Sequence, residues 1–145
     1  KAIFVTKIGN DVISNLSYTY DNNGNILTET RNSITTTYTY DNLNRLKTAE
    51  YGDENVITYY YDAWGNREKE TDLLGNEKIY SYDDKNRLVS VALNGNVIDQ
   101  YTYNDAGAVI THNNTSYAYD EWNNVNSFTD EQGNVHHYKY DHFLS

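Results

Sequence analysis

The sequence predicts an all-β chain, a repeat array of antiparallel β-hairpins that form one continuous sheet. Three observations support this class. A tyrosine-rich unit recurs through nearly the whole chain, a residue that tolerates positive φ follows each copy at a fixed distance, and a second turn signal separates most successive copies. Such periodicity is the signature of architectures in which each unit packs on its neighbours.

The recurring unit is Tyr-x-Tyr followed by Asp or Asn. Successive Asp or Asn positions are separated by 20, 21, 21, 21, 16 and 21 residues, and 14 of the 16 tyrosines lie in these pairs. The seven copies are Tyr18, Tyr20 and Asp21; Tyr38, Tyr40 and Asp41; Tyr59, Tyr61 and Asp62; Tyr80, Tyr82 and Asp83; Tyr101, Tyr103 and Asn104; Tyr117, Tyr119 and Asp120; and Tyr138, Tyr140 and Asp141.

Three residues after the Asp or Asn, six copies carry only Gly or Asn, the residues that adopt positive φ most readily. An Asp or Asn that opens a turn can accept a hydrogen bond from a backbone N–H two residues on. Together these positions predict a type I turn closed by a left-handed residue. The left-handed positions are Gly24, Asn44, Gly65, Asn86, Gly107 and Asn123.

A strand-like stretch follows each turn, and a second turn then leads back to the next tyrosine pair. The predicted second turns are Gly9-Asn10, Gly52-Asp53, Gly75-Asn76, Asn94-Gly95-Asn96 and Gly133-Asn134, with a tighter one at residues 112–115 in the short repeat. Because side chains alternate along a strand, both tyrosines of a pair lie on one face. We therefore expect two ladders of directly stacked tyrosines, one through Tyr38, Tyr59, Tyr80 and Tyr101 and one through Tyr40, Tyr61, Tyr82 and Tyr103.

Composition excludes several function classes. The formal net charge of −10 and the absence of a basic cluster disfavour nucleic-acid binding. The sequence contains no run of 18 apolar residues, the approximate length that a helix needs to span a bilayer. Cysteine is absent, so the chain has no disulfide framework, thiol nucleophile or thiolate metal site. With 38% hydrophobic residues and 16 tyrosines, the expected core is aromatic and partly hydrated.

The unit Tyr-x-Tyr-Asp-x-x-Gly-Asn at residues 18–25 and 59–66, with Gly-x4-Tyr at residues 75–80 and 133–138, resembles the RHS/YD-repeat family. That family includes bacterial Rhs and wall-associated polymorphic toxins, cocoon-forming components of insecticidal toxin complexes, and teneurins. The resemblance implies a long antiparallel sheet that spirals into a hollow shell, enclosing an effector in toxins and supporting adhesion in teneurins. The toxins end their shell near Asp-Pro-x-Gly; this chain has no proline, so the resemblance assigns it no autoproteolytic site.

The residues that could carry chemistry have structural interpretations. The paired carboxylates Asp83-Asp84 and Asp130-Glu131 fall at turns and are interpreted as solvated. Residues 21–25 superficially resemble a calcium loop but lack a closing bidentate Glu. His136, His137 and His142 cluster near the end, but His136 and His137 are adjacent strand residues that point to opposite faces and cannot readily share one metal. The sequence therefore predicts no catalytic, cofactor-binding or metal-binding residues, and no enzyme.

Trp64 and Trp122 each lie two residues past a turn-opening Asp. Packing over the tyrosines beneath is the favoured interpretation, and stacking on a sugar ring is the alternative. Either way they are the two candidate ligand contacts of the chain.

Two functions remain open. The first is a structural segment, a single array over residues 1–145 excerpted from a longer secreted or cell-surface protein of bacterial type, that encloses or presents another polypeptide. The second is an adhesive or filament-forming surface module that binds glycans or neighbouring chains. The expected partners are further YD repeats of the same or another chain, an encapsulated effector or a surface glycan. We also expect this array to continue in a longer one or to assemble head-to-tail, because open sheet edges are poorly protected.

Overall fold

The computed structural model describes residues 2–8, 11–52 and 55–140, with side chains described from Asn15 onward. These residues form β-strands joined by turns, and no helix occurs among them. The strands are β1 (Ala2–Ile8), β2 (Asp11–Tyr20), β3 (Ile26–Arg31), β4 (Ile34–Tyr40), β5 (Leu46–Tyr51), β6 (Asn55–Tyr61), β7 (Arg67–Thr71), β8 (Glu77–Tyr82), β9 (Leu88–Leu93), β10 (Asn96–Tyr103), β11 (Val109–His112), β12 (Thr115–Tyr119), β13 (Val125–Thr129) and β14 (Val135–His137).

The chain forms two compact units, Lys1–Ile79 and Tyr80–Ser145, and the boundary falls within β8. In the first unit, each strand from β1 to the beginning of β8 pairs antiparallel with the next strand along the chain. In the second unit, β9 to β14 pair in the same way. The predicted all-β, antiparallel hairpin class is confirmed.

Side chains alternate between two unlike faces. In β4, Tyr38 and Tyr40 are half-buried, whereas Thr37 and Thr39 between them are exposed. The second face carries threonines in cross-strand pairs, such as Thr39 and Thr48, whose Oγ1 atoms lie 2.6 Å apart. Paired hydroxyls across antiparallel strands stabilise the sheet modestly without an aliphatic layer.

Burial is shallow. Among the described residues only Ala49 and Val91 are buried, and no polar side chain is. Ala49 lies on β5, directly opposite Tyr38 on β4 and Ile57 on β6. The stabilising contacts therefore come from half-buried tyrosines rather than from a thick aliphatic core.

A β-bulge follows the turns after the tyrosine pairs wherever the register is described. Tyr40 pairs with Leu46 while Thr39 pairs with Thr48, so Lys47 is the extra residue. The same shift leaves Leu27, Glu68, Ile110 and Asn126 as extra residues elsewhere.

The second turns are of more than one kind. Asn94 and Gly95 have φ values of 49° and 83° and form a two-residue hairpin turn. An equivalent turn at Asn32 and Ser33 carries none of the predicted turn signals. In the short repeat, Asn113 at φ 49° forms the tight turn predicted there. The predicted Gly9-Asn10 turn and Asp53 lie outside the described residues.

Candidate functional site

The site that the sequence singles out is the turn after each tyrosine pair, and one carboxylate organises it. In the third copy, Asp62 Oδ1 accepts backbone N–H bonds from Trp64 at 2.9 Å and Asn66 at 2.8 Å. The N–H of Gly65 donates to the Asp62 carbonyl at 3.1 Å, and the N–H of Asp62 donates to the Asn66 carbonyl at 3.0 Å. This is a type I turn extended by a left-handed residue.

The left-handed residue has positive φ in all six described copies, as predicted. The φ values are 88° at Gly24, 59° at Asn44, 90° at Gly65, 64° at Asn86, 86° at Gly107 and 65° at Asn123. Asp141, the turn-opening residue of the seventh copy, lies outside the described residues.

Two further turns have the same construction but no tyrosine pair before them. Asp72 and Asp130 open turns whose glycines, Gly75 and Gly133, have φ values of 82° and 85°. Asp72 Oδ1 accepts from the backbone N–H of Leu74 and Asn76, both at 2.9 Å. The sequence predicted turns at these glycines but not that Asp72 and Asp130 open them, although Asp-x-x-Gly-Asn is the same motif.

Folding lowers the pKa of several of these carboxyls, because the turn supplies donors to the charged form. The side-chain amide of Asn25 is the main cause at Asp21, and that of Asn76 is the main cause at Asp72. At Asp130, Asn134 lowers the carboxyl pKa most, followed by His136. The carboxylates that could have paired for acid–base work thus act as turn caps.

In five of the seven pairs, the second tyrosine contacts the repeat before it through its hydroxyl. Tyr61 Oη donates to the Leu46 carbonyl at 2.7 Å. The accepting carbonyl belongs to the residue just before the bulge, where the strand ladder is interrupted. Equivalent bonds run from Tyr40 to Ile26, Tyr103 to Leu88, Tyr119 to Val109 and Tyr140 to Val125.

The expected ladders of directly stacked tyrosines are not formed in the register that the structure describes. Tyr38 and Tyr59 lie on β4 and β6, and β5 lies between them. Two strand spacings amount to about 10 Å, beyond the separation of stacked rings. The intervening strand instead contributes Ala49 beside Tyr38, and the guanidinium of Arg45 lies 4.4 Å from the ring centre of Tyr61.

The first tyrosines remain half-buried. The pKa of Tyr59 is raised to about 12, mainly by burial and then by a hydrogen bond with Tyr51. Arg67 covers its ring at 4.5 Å. Tyr80 and Tyr82 lie half-buried on β8, as do Tyr101 and Tyr117 on their strands.

Both tryptophans are exposed, so the favoured interpretation of packing over the tyrosines is wrong. Trp64 is 83% exposed and Trp122 is 63% exposed. Each occupies the third residue of its turn, where the backbone N–H is tied to the turn-opening Asp and the side chain points outward.

Two histidines each lie close to a carboxylate and stack on an aromatic ring. His136 Nε2 lies 3.1 Å from Asp130 Oδ2, and the ring stacks on Phe128 at 4.4 Å. His112 repeats the arrangement with Asp99 and Tyr101. Across the described residues, no group of three or more His, Cys, Asp or Glu side chains is arranged to hold a metal ion. No helix in the described part of the chain is long and apolar enough to cross a membrane.

Comparison with known proteins gives a family match and several relatives. The family model described as RHS Repeat matches residues 20–55. The tRNA3(Ser)-specific nuclease WapA of Bacillus spizizenii is 34% identical over 146 residues, which covers 94% of this chain and 6% of the nuclease.

Among solved structures, TcdB2-TccC3 without its hypervariable C-terminal region superposes with a TM-score of 0.66 at 20% identity, over 83% of this chain and 7% of that one. A Tc holotoxin pore of Photorhabdus luminescens that carries a TccC3 variant gives 0.61 at 20% identity, over 79% and 7%. At this identity the likeness shows a shared fold. The chain spans 6% to 7% of the length of these relatives.

Proposed function

We propose that this chain, in which residues 20–55 match the RHS Repeat model, is a structural segment of a longer RHS/YD-repeat protein whose sheet encloses or presents another polypeptide. The bond from the second tyrosine to the preceding repeat carries this proposal. It recurs at five places in the described residues, and each instance ties one hairpin to the hairpin before it. Side chains that join neighbouring hairpins are suited to building a continuous wall.

The expected partners are further repeats of the same kind. Beside the last described strands, a hollow of about 410 Å³ is lined by Tyr117, Val125, Phe128, Tyr138 and Tyr140. In inner copies the tyrosines of this face are half-buried, whereas Tyr138 and Tyr140 are each 48% exposed. One more hairpin placed here would cover them as the inner copies are covered. We place the parent protein outside the cytoplasm or on the cell surface by the same family likeness.

Limited proteolysis of the full-length parent tests enclosure. An enclosed polypeptide should resist protease until the sheet is opened, for example by Tyr61→Ala together with Tyr103→Ala. The control is the pair Thr37→Ala and Thr39→Ala, which alters the exposed face and should leave protection intact. Equal cleavage of that polypeptide in the parent and in the opened variant would overturn the proposal.

A second function, a surface module that binds glycans, is favoured by the exposed tryptophans. An indole that is 83% exposed at a rigid turn can stack on a sugar ring at little entropic cost. Binding of the 145-residue chain to a glycan array, abolished by Trp64→Ala with Trp122→Ala, would support this function. Absence of binding at high protein concentration would leave only the structural role.

A further inference from the structure

Two kinds of turn alternate along the edge that follows the tyrosine pairs. In glycine turns the left-handed residue is Gly, and in asparagine turns it is Asn. The glycine turns contain Gly24, Gly65 and Gly107, and the asparagine turns contain Asn44, Asn86 and Asn123. Since either residue satisfies the backbone, the alternation calls for a reason beyond φ.

The first asparagine turn uses its side chain to contact the glycine turn before it. Asn44 Oδ1 accepts hydrogen bonds from the side-chain amides of Asn23 at 3.0 Å and Asn25 at 2.9 Å. Both donors belong to the turn opened by Asp21, so the bonds join adjacent repeats. A glycine in place of Asn44 would offer no acceptor.

Two of the three asparagine turns contact the following repeat through the next residue, which is an arginine after Asn44 and Asn86 and an asparagine after Asn123. Arg45, next after Asn44, donates to Asp41 Oδ2 at 2.7 Å and covers the ring of Tyr61. Arg87, next after Asn86, donates to Asp83 Oδ2 at 2.8 Å. Its guanidinium lies 4.5 Å from the ring centre of Tyr103 and also donates to the Asn104 carbonyl at 3.2 Å.

We propose that the left-handed residue and the residue after it are specificity determinants that select which repeat lies beside which. An asparagine turn recognises a preceding turn that bears side-chain amides, and its arginine recognises the tyrosine of the following repeat. The unit of the array is then a pair of hairpins, since equivalent turns at Asp41 and Asp83 are 42 residues apart. The partner recognised is an amide-bearing repeat, in this chain or in another copy. This inference holds whether or not the array encloses a polypeptide.

The chain contains a natural control. Before the asparagine turn at Asn123, the positions that correspond to Asn23 and Asn25 are Ala106 and Ala108, which have no amide. Asn123 therefore has the same backbone role as Asn44, but the turn before it has no amide donors at the two positions that contact Asn44 in the first pair of repeats.

Thermal unfolding of the 145-residue chain separates recognition from backbone preference. Glycine tolerates positive φ better than asparagine, so backbone preference alone predicts that Asn44→Gly and Asn123→Gly are both neutral or stabilising. Recognition predicts that Asn44→Gly lowers Tm, by about 2–4 °C for each hydrogen bond that stabilises by ~1 kcal/mol. Asn123→Gly should leave Tm unchanged or raised. Equal shifts in the two variants would overturn the proposal.

Adding the missing amide donors before Asn123 gives a second test of the proposal. Ala106→Asn and Ala108→Asn together supply the missing donors, so Asn123→Gly should become destabilising in that background. Asn44→Asp keeps an acceptor and should retain most of the stability that Asn44→Gly loses. If Asn123→Gly stays neutral after the donors are added, the side chain has no role in selecting its neighbour.

Discussion

At the residue scale, the left-handed position shows how far backbone conformation alone decides which side chain is tolerated. Around Gly65 a Cβ atom would meet nothing within 4 Å, so space does not select glycine there. Its φ of 90° does. Gly52 shows the opposite case: its φ is not left-handed, but a Cβ would lie 2.9 Å from Ile34 Cγ2 and 3.2 Å from the Thr35 carbonyl oxygen.

Gly65→Val should therefore destabilise the chain by about 1–2 kcal/mol, because a β-branched residue is strained at positive φ. Gly65→Asn should cost far less, since Asn44, Asn86 and Asn123 occupy the same position elsewhere. Urea unfolding at equilibrium measures both. Equal midpoints for the two variants would contradict a purely conformational requirement.

The hydroxyl of Tyr61 gives a second residue-scale prediction. Tyr61→Phe removes the donor to the Leu46 carbonyl while keeping the ring beside Arg45, so the loss should be about 1 kcal/mol. Tyr60→Phe is the matched control, because Tyr60 lies 42% exposed on the opposite face. A control that costs as much as Tyr61→Phe would show that the bond contributes nothing specific.

Sequence comparison predicted these residues because seven copies within one chain can be aligned with one another. The turn-opening role of Asp72 and Asp130 was not predicted, because their turns lack the tyrosine pair that marks the other copies. The exposure of Trp64 was not predictable either. A turn motif fixes φ and ψ but says nothing about which surface lies within reach of the side chain.

At the scale of the element, the hairpin depends on ionised carboxylates. A carboxyl whose pKa is lowered by folding contributes stability that is present above its unfolded value, near 3.8. That stability is lost as the pH falls through the lower folded value. The turns at Asp21, Asp72 and Asp83 all belong to this class.

The free energy of unfolding should accordingly fall as the pH drops from about 5 toward 2, even at constant salt. Asp72→Asn should reduce this pH dependence, because the amide cannot ionise. Asn104→Asp should increase it, because it places a carboxylate at the turn-opening position, where this copy has an amide. Urea midpoints measured across this range would show parallel curves for all three proteins if the caps were irrelevant.

The ladder of tyrosines failed as a prediction at this same scale. Each repeat contains two strands, so tyrosines one repeat apart are separated by an intervening strand and are not neighbours in the sheet. Ala49 on the intervening strand and Arg45 in the turn that leads into it therefore occupy the space that a direct ring contact would need.

At the scale of the whole molecule, stability is distributed among neighbours rather than collected in one core. Tyr61→Ala in an inner copy should cost roughly 3 kcal/mol, as for buried aromatics generally. Tyr140→Ala should cost clearly less, since Tyr140 is 48% exposed. Uniform costs across the copies, measured by urea unfolding, would contradict a stacked array.

The edge of β14 provides a prediction about assembly. This strand has three residues, all exposed, and residues 138–140 after it are exposed as well. Unpaired strand edges favour pairing with another chain, and an end-to-end contact of this kind can propagate. Light scattering of the 145-residue chain should therefore show growth with concentration. A stable monomer at all concentrations would contradict head-to-tail assembly.

The direction of the tyrosine-to-carbonyl bond along the chain has a consequence for folding during synthesis. Every described instance runs from a later residue to an earlier one, as from Tyr103 back to Leu88. A repeat that leaves the ribosome thus finds its acceptor on chain that has already been made. Synthesis proceeds from the N-terminus at a pace that lets early units fold first. The array can therefore be completed hairpin by hairpin, each new one secured to its predecessor as it emerges, without waiting for distant sequence to be translated.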